Sequence, residues 1–121
     1  MSDFFGGINI MRKRTGGGNS TPGESIKKYF PTTFTGNFSI TDAMFGMTVF
    51  ANETLTVTVQ TGLRDGFWCI VENVGTGEVT FAQGVGVVLN RAGQKLVTQY
   101  TSAVVEKQID PVHKVEGQLT T

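Results

Sequence analysis

From Thr54 onward the chain alternates apolar and polar residues with a period of two. Leu55, Val57 and Val59 interleave with Thr54, Thr56, Thr58 and Gln60, the pattern of a strand with one buried and one wet face, because successive side chains of extended backbone point to opposite sides. Gly62-Leu63-Arg64-Asp65-Gly66 interrupts this strand. Phe67 to Glu72 is a dense apolar run, Asn73 to Gly77 breaks the chain again, and Val79 and Phe81 carry a further strand to Gly84. Val85, Val87 and Leu89 fall on one face, Arg91-Ala92-Gly93-Gln94 turns, Lys95 to Thr98 leads into Tyr100, and Ser102 to Ile109 supplies a final, longer strand. Strands broken every roughly 8 to 12 residues by glycine-containing turns suit a sandwich or barrel, and the strand-helix alternation of a doubly wound fold is missing. The pattern predicts an all-β fold, a small antiparallel β-sandwich head over residues 32–121.

Composition supports the strand reading and narrows the partners. Nine Phe, with many Val and Thr, fit pleated surfaces better than helices. A chain of 121 residues buries roughly two-thirds of its unfolded surface, enough for a modest core. Ten basic and ten acidic residues give a formal net charge of zero, which argues against a dedicated nucleic-acid binder. No apolar stretch is long enough to span a bilayer, so no membrane partner is expected. In Met1 to Arg14 the basic residues follow the apolar ones, the reverse of a secretory signal, and the single cysteine excludes an internal disulfide. These features predict a chain made in a cytoplasm and kept there until assembly.

Residues 1–31 have a different character. Phe4, Phe5, Ile8 and Ile10 are apolar, Arg12, Lys13 and Arg14 form a basic cluster, and Gly16 to Ser20 is a flexible composition. Too little apolar surface is present for a core, so an extended arm that orders on contact with a neighbouring chain is expected. One short helix has a start signal: Thr21 could cap it, Pro22 suits its first position and Glu24 completes a capping box, with Pro31 ending it.

Enzyme-like signals are weak by comparison. Gly18 to Ser25 has the spacing of a phosphate-binding loop, but Glu24 stands where the lysine must be, and a carboxylate repels phosphate. Gly75-Thr76-Gly77 and Gly84-Val85-Gly86 lack the third glycine and following helix of a dinucleotide site and read as turn or bulge glycines. Cys69 and His113 are the only members of a possible nucleophile pair. Cys69 lies between Trp68 and Ile70, where burial makes a thiol inert, and His113 is expected at the surface near the C-terminus. One Cys and one His cannot supply a recognised metal-ligand set. Asp42, Glu53, Asp65, Glu72, Glu78 and Glu106 are scattered acids that nothing pairs for glycoside hydrolysis. No catalytic residue, metal or cofactor is expected; a small hydrolase using these carboxylates or Cys69 is the alternative of another class.

Phe38-Ser39-Ile40-Thr41, then Gly62-Leu63 with Gly66-Phe67, then Val74 to Phe81 with Gly84 to Asn90 follow one another in an order that resembles bacteriophage fibre domains of the head-fibre or capsid-decoration type. Phe38-Ser39-Ile40-Thr41, Asp42-Ala43 with Gly46, and Met47 to Asn52 are similar to that family's opening step of short strand, corner and strand ending in Asn. Leu55 to Val59 with Gly62-Leu63 and Gly66-Phe67 resembles its glycine-leucine, glycine-aromatic step. Val74 to Phe81 with Gly84 to Asn90 resembles its central glycine-punctuated hairpin, and Tyr100 to Lys107 with Gly117-Gln118-Leu119 its closing strands. The chain departs from the pattern at Val112-His113, where such domains often carry a tryptophan, and at Thr61, where many have proline. The resemblance implies a small, often trimeric virion protein without catalytic residues. With only a short arm and one head, the expectation is a head fibre or capsid decoration. Phe4, Phe5, Ile8, Ile10, Arg12, Lys13 and Arg14 would anchor to capsid or other virion proteins. Arg64, Asp65, Asn73, Thr76, Arg91 and Gln94 would form exposed contact loops. A tail-fibre tip recognising host surface glycans is the alternative.

Overall fold

The computed structural model describes residues 28–121, all of it β-structure and turns apart from one 3-10 turn at Asp42–Met44. Ten strands follow in chain order: β1 (Lys28–Phe34), β2 (Phe38–Ile40), β3 (Met47–Ala51), β4 (Leu55–Val59), β5 (Trp68–Asn73), β6 (Val79–Gln83), β7 (Val88–Leu89), β8 (Lys95–Leu96), β9 (Thr101–Lys107) and β10 (Val112–Gly117). They form a six-stranded sheet, β1-β3-β5-β9-β10-β7, and a four-stranded sheet, β2-β4-β6-β8.

The all-β expectation holds, but the antiparallel one is corrected. From β1 to β6 each strand crosses to the other sheet, so odd strands stack on odd and even on even, in parallel. The chain thus winds through three stacked coils, β1-β2, β3-β4 and β5-β6, in the manner of a short solenoid. Backbone bonds at the corners tie coil to coil: Asn52 N–H donates to Phe34 O (2.8 Å) and Val74 N–H to Ala51 O (2.9 Å). Antiparallel pairing enters only at the last coil, where β9 runs against β5, β10 against β9, and β8 against β6.

The core lies between the sheets. Val49, Ala51, Cys69, Val71, Ala103, Val105 and Val115 face inward from one sheet; Leu55, Val57, Val59, Val79, Phe81 and Leu96 face inward from the other. Each set follows the period of two, so the alternation read from Leu55, Val57 and Val59 is the burial pattern itself.

Three local expectations change. Lys28–Phe34, whose first residues were assigned to the end of a helix, is strand β1 paired with β3, so the sheet begins within the span given to the arm. Pro31 is tolerated there because, among the described residues, β1 has a partner on one side only. Val85 does not share a face with Val87 and Leu89: it is 98% exposed in a turn that Gly86 makes with φ +82°, and β7 is only two residues long. Ser102 to Ile109, read as the final strand, is β9, and a further strand, β10, follows it after the turn at Gln108–Pro111.

Candidate contact surfaces

The Gly62–Phe67 loop is held from both sides. Asp42 Oδ1 accepts from the Arg64 backbone N–H (2.8 Å), and the guanidinium grips both carboxylate oxygens, with Nε at 3.2 and 3.1 Å and Nη2 at 3.0 Å from Oδ2. The side-chain bond from Arg64, followed by the backbone one, holds the Asp42 carboxyl below its ordinary range. Arg64 also lies over the Phe45 ring, 4.5 Å from its centroid, and Phe45 meets Trp68 edge-on at 6.4 Å. On the other side Lys107, its side chain almost wholly covered, donates to Leu63 O (2.7 Å) and pairs with Asp65 and Asp110, each at 3.3 Å. Burial pulls the Lys107 ammonium down, but its bonds to Asp110 and Asp65 outweigh this and leave it raised. The loop is therefore a clamped polar ridge with Trp68 at its foot.

At the other end of β5 the turn is built around Asn73, which is fully buried. Its Nδ2 donates to Gly77 O (2.8 Å) and Leu96 O (3.0 Å), and its Oδ1 accepts from Gly75 N–H (3.1 Å). The assignment of Asn73 to a contact loop is corrected: its amide satisfies inward-pointing backbone groups and has no face left for a partner. Thr76 remains exposed at the tip of that turn. Nearby, Tyr100 is 68% exposed with φ +69°, a conformation rare for an aromatic residue, fixed by its N–H bonding Asn73 O at 2.6 Å.

The remaining expected contact residues do not converge. Arg64 and Asp65 precede β5 and Thr76 follows it, so the strand's length, roughly 20 Å at about 3.3 Å per residue, separates them. Arg91 and Gln94 lie on the turn between β7 and β8, where Arg91 pairs with Glu116 at 3.6 Å and Gln94 N–H bonds Arg91 O. Phe4, Phe5, Ile8, Ile10, Arg12, Lys13 and Arg14 lie outside the described residues.

Cys69 and His113 are both buried on the inner face of the six-stranded sheet. The surface position expected for His113 is thus corrected: at 1% exposure it occupies an inward site on β10. Its Nδ1 lies 2.9 Å from Pro111 O, which can only accept, so Nδ1 carries the hydrogen; Nε2 meets no partner among the described residues. No hydrogen bond joins it to Cys69. Burial pushes the thiol up to about 12 from an ordinary value of 9.0, and a nucleophile needs the opposite. A raised acid binds its proton in the folded state where the unfolded chain has released it, so Cys69 contributes stability in full below pH 9 that is lost between pH 9 and about 12. Urea titrations should show Cys69→Ala with a shallower alkaline loss than the parent, by at most about 4 kcal/mol. Identical slopes for the two proteins would contradict a buried thiol.

Among the described residues no group of three or more His, Cys, Asp or Glu is placed to hold a metal ion. Compared with known proteins, the chain matches no family model and no curated protein.

Proposed function

We propose that this chain is a structural protein of a bacteriophage particle: a small head fibre or capsid decoration, anchored through the residues before Lys28, with a trimeric β head that projects outward and turns over no substrate. The observation that carries this reading is the placement of the glycines behind the fibre resemblance. Gly75, Gly77 and Gly84 lie where one coil rests on the next: a Cβ at Gly75 would strike Asn52, at Gly77 the backbone of Thr54, and at Gly84 the carbonyl of Val59. These glycines thus serve coil stacking and not the hairpin that the resemblance implied, since β6 and β7 lie in different sheets; a motif whose work is stacking suits a scaffold. The clamped Arg64 ridge and the buried Asn73 turn add stiffness of the kind a projecting head uses.

The arm is the part that tests the proposal. Phe4, Phe5, Ile8 and Ile10 would seat in particle proteins, with Arg12, Lys13 and Arg14 beside them. Deleting residues 1–20 should leave the circular dichroism and thermal transition of the head intact and abolish incorporation into particles. Normal occupancy of particles by the truncated chain would place the anchor elsewhere.

A tail-fibre tip that touches host glycans is the second reading, favoured by Tyr100. An exposed aromatic held by its backbone in a rare conformation, next to Gln99, which donates to Val74 O (2.9 Å), suits shallow stacking on a sugar ring. Single sites of that kind are weak, and many copies on one particle would raise them to useful avidity.

A further inference from the structure

The chain enters β1 from the end of the head at which β3 and β5 begin, because β1 runs parallel to β3 and β3 to β5. Since β9 runs against β5 and β10 against β9, the turn at Gln108–Pro111 lies at this same end. Two apolar tips meet there. Ile109 is 80% exposed, and the turn bearing the fully exposed Val85 is held next to it by the bond from Val88 N–H to Pro111 O (2.9 Å). Acids flank the tips. Asp65 and Asp110 each reach the Lys107 ammonium at 3.3 Å, yet both carboxylates stay well exposed. With the Asp42–Arg64 pair counted in, three carboxylates meet two cations, so the group carries one net negative charge.

Apolar tips beside spare negative charge fit an apolar segment followed by cations, and the chain carries one: Phe4, Phe5, Ile8 and Ile10, then Arg12-Lys13-Arg14. We propose that the free chain stows this stretch on its own head, residues 4–10 against Val85 and Ile109 and residues 12–14 beside Asp65 and Asp110. The proposal rests on the reading of the arm as the particle anchor and adds that the anchor is held in waiting until a particle takes it. Reach selects the chain's own arm as the occupant. Four strand spacings of about 4.8 Å put β10 about 19 Å from β1. Thr15 to Lys27 is a tether of 13 residues containing four Gly and two Ser, and flexible tethers of that length span roughly 18 to 22 Å root-mean-square. A tether matched to its span raises the local concentration to the millimolar range, so a seat with a dissociation constant of about 1 mM is filled about half the time. A second copy or a separate partner at micromolar concentration would leave so shallow a seat empty. Half-occupancy shifts the folding equilibrium only about twofold. The head therefore melts alike with and without the arm, and a particle protein that grips the arm more firmly draws it out.

Paramagnetic broadening in the full chain is the test. A nitroxide on Asn9→Cys, in a Cys69→Ala background, should erase the amide signals of Gly86 and Asp110 and spare those of Thr76 and Tyr100 beyond the far end of β5. Val85→Asp combined with Ile109→Asp, both at exposed positions, should bring the erased signals back. Arg12→Glu, Lys13→Glu and Arg14→Glu together, which lie outside the head, should do the same. Gly86 and Asp110 signals that never fade, equal fading at both ends, or signals that stay erased in either variant would each overturn the proposal. So would fading in isotope-labelled chains that carry no nitroxide, refolded together with spin-labelled ones, which would give the seat to a neighbour's arm. Particle incorporation is scored separately: a chain that joins particles but never stows its arm sinks only this inference, and one that stows its arm but never joins them sinks the particle reading.

Discussion

Phe81→Ala is expected to destabilise the head by about 3 to 5 kcal/mol, the range for removing a fully buried phenyl ring. Phe81 is 0% exposed and faces the six-stranded sheet from the middle of β6, beside Val57. Its backbone is held on its free side too: Phe81 N–H donates to Gln94 O (3.0 Å) and Gly93 N–H to Phe81 O (2.7 Å). A strand fixed by β4 on one flank and this turn on the other cannot move inward to fill the void, which puts the loss at the upper end. Small domains hold only about 5 to 15 kcal/mol in all, so the urea midpoint should fall sharply with the m-value unchanged. Phe50→Ala, on the half-buried outer face, is the control and should cost clearly less in the monomer. Equal losses for the two would mean that the core is not where the structure places it.

Among the stacking glycines Gly75, Gly77 and Gly84, Gly77→Ala should be the most damaging substitution. The added methyl would meet Thr54 N, Thr54 Oγ1 and the carbonyl carbon of Glu53, so backbone must move against backbone, and the second and third coils must separate. Overpacking of this kind costs about 1 to 3 kcal/mol where side chains can yield, and here the obstacle cannot turn away. Gly36→Ala has nothing within 4 Å of its new methyl and no left-handed backbone; it should be neutral or slightly stabilising through the unfolded chain. Thermal melts of the pair separate loss of glycine from loss of coil stacking. A Gly77→Ala protein that melts with the Gly36→Ala one would remove the support that stacking gives to the fibre reading.

Strands β4, β5 and β6 were legible in the sequence because each carries its own alternation or apolar run bounded by glycines. Their parallel stacking was not. Period-two patterning records which residues point inward but not which sheet a strand joins, and the connections after β2, β3, β4 and β5 each cross to the opposite sheet. β1 was hidden by Pro31 and by the capping signals at Thr21 to Glu24. β10 was hidden because one of its inward positions holds His113, a polar residue in a core site. Among the contact loops, Arg64, Asp65, Thr76 and Arg91 are exposed as their composition implies, and Gln94 is half-buried. Asn73 misled because an Asn before Gly-Thr-Gly reads as a turn tip, whereas here its amide points inward to the carbonyls of Gly77 and Leu96. The Lys107 clamp had no sequence signal, since Leu63, Asp65 and Asp110 meet it only after β5 and β9 have paired.

Quantitative mass spectrometry of gradient-purified phage particles tests the central claim most directly. The account predicts this chain in every particle at a fixed copy number that is a multiple of three, stripped from the particles when residues 1–20 are deleted. Particles that lack the chain while the infected cell contains it free in solution would contradict a structural role in the virion.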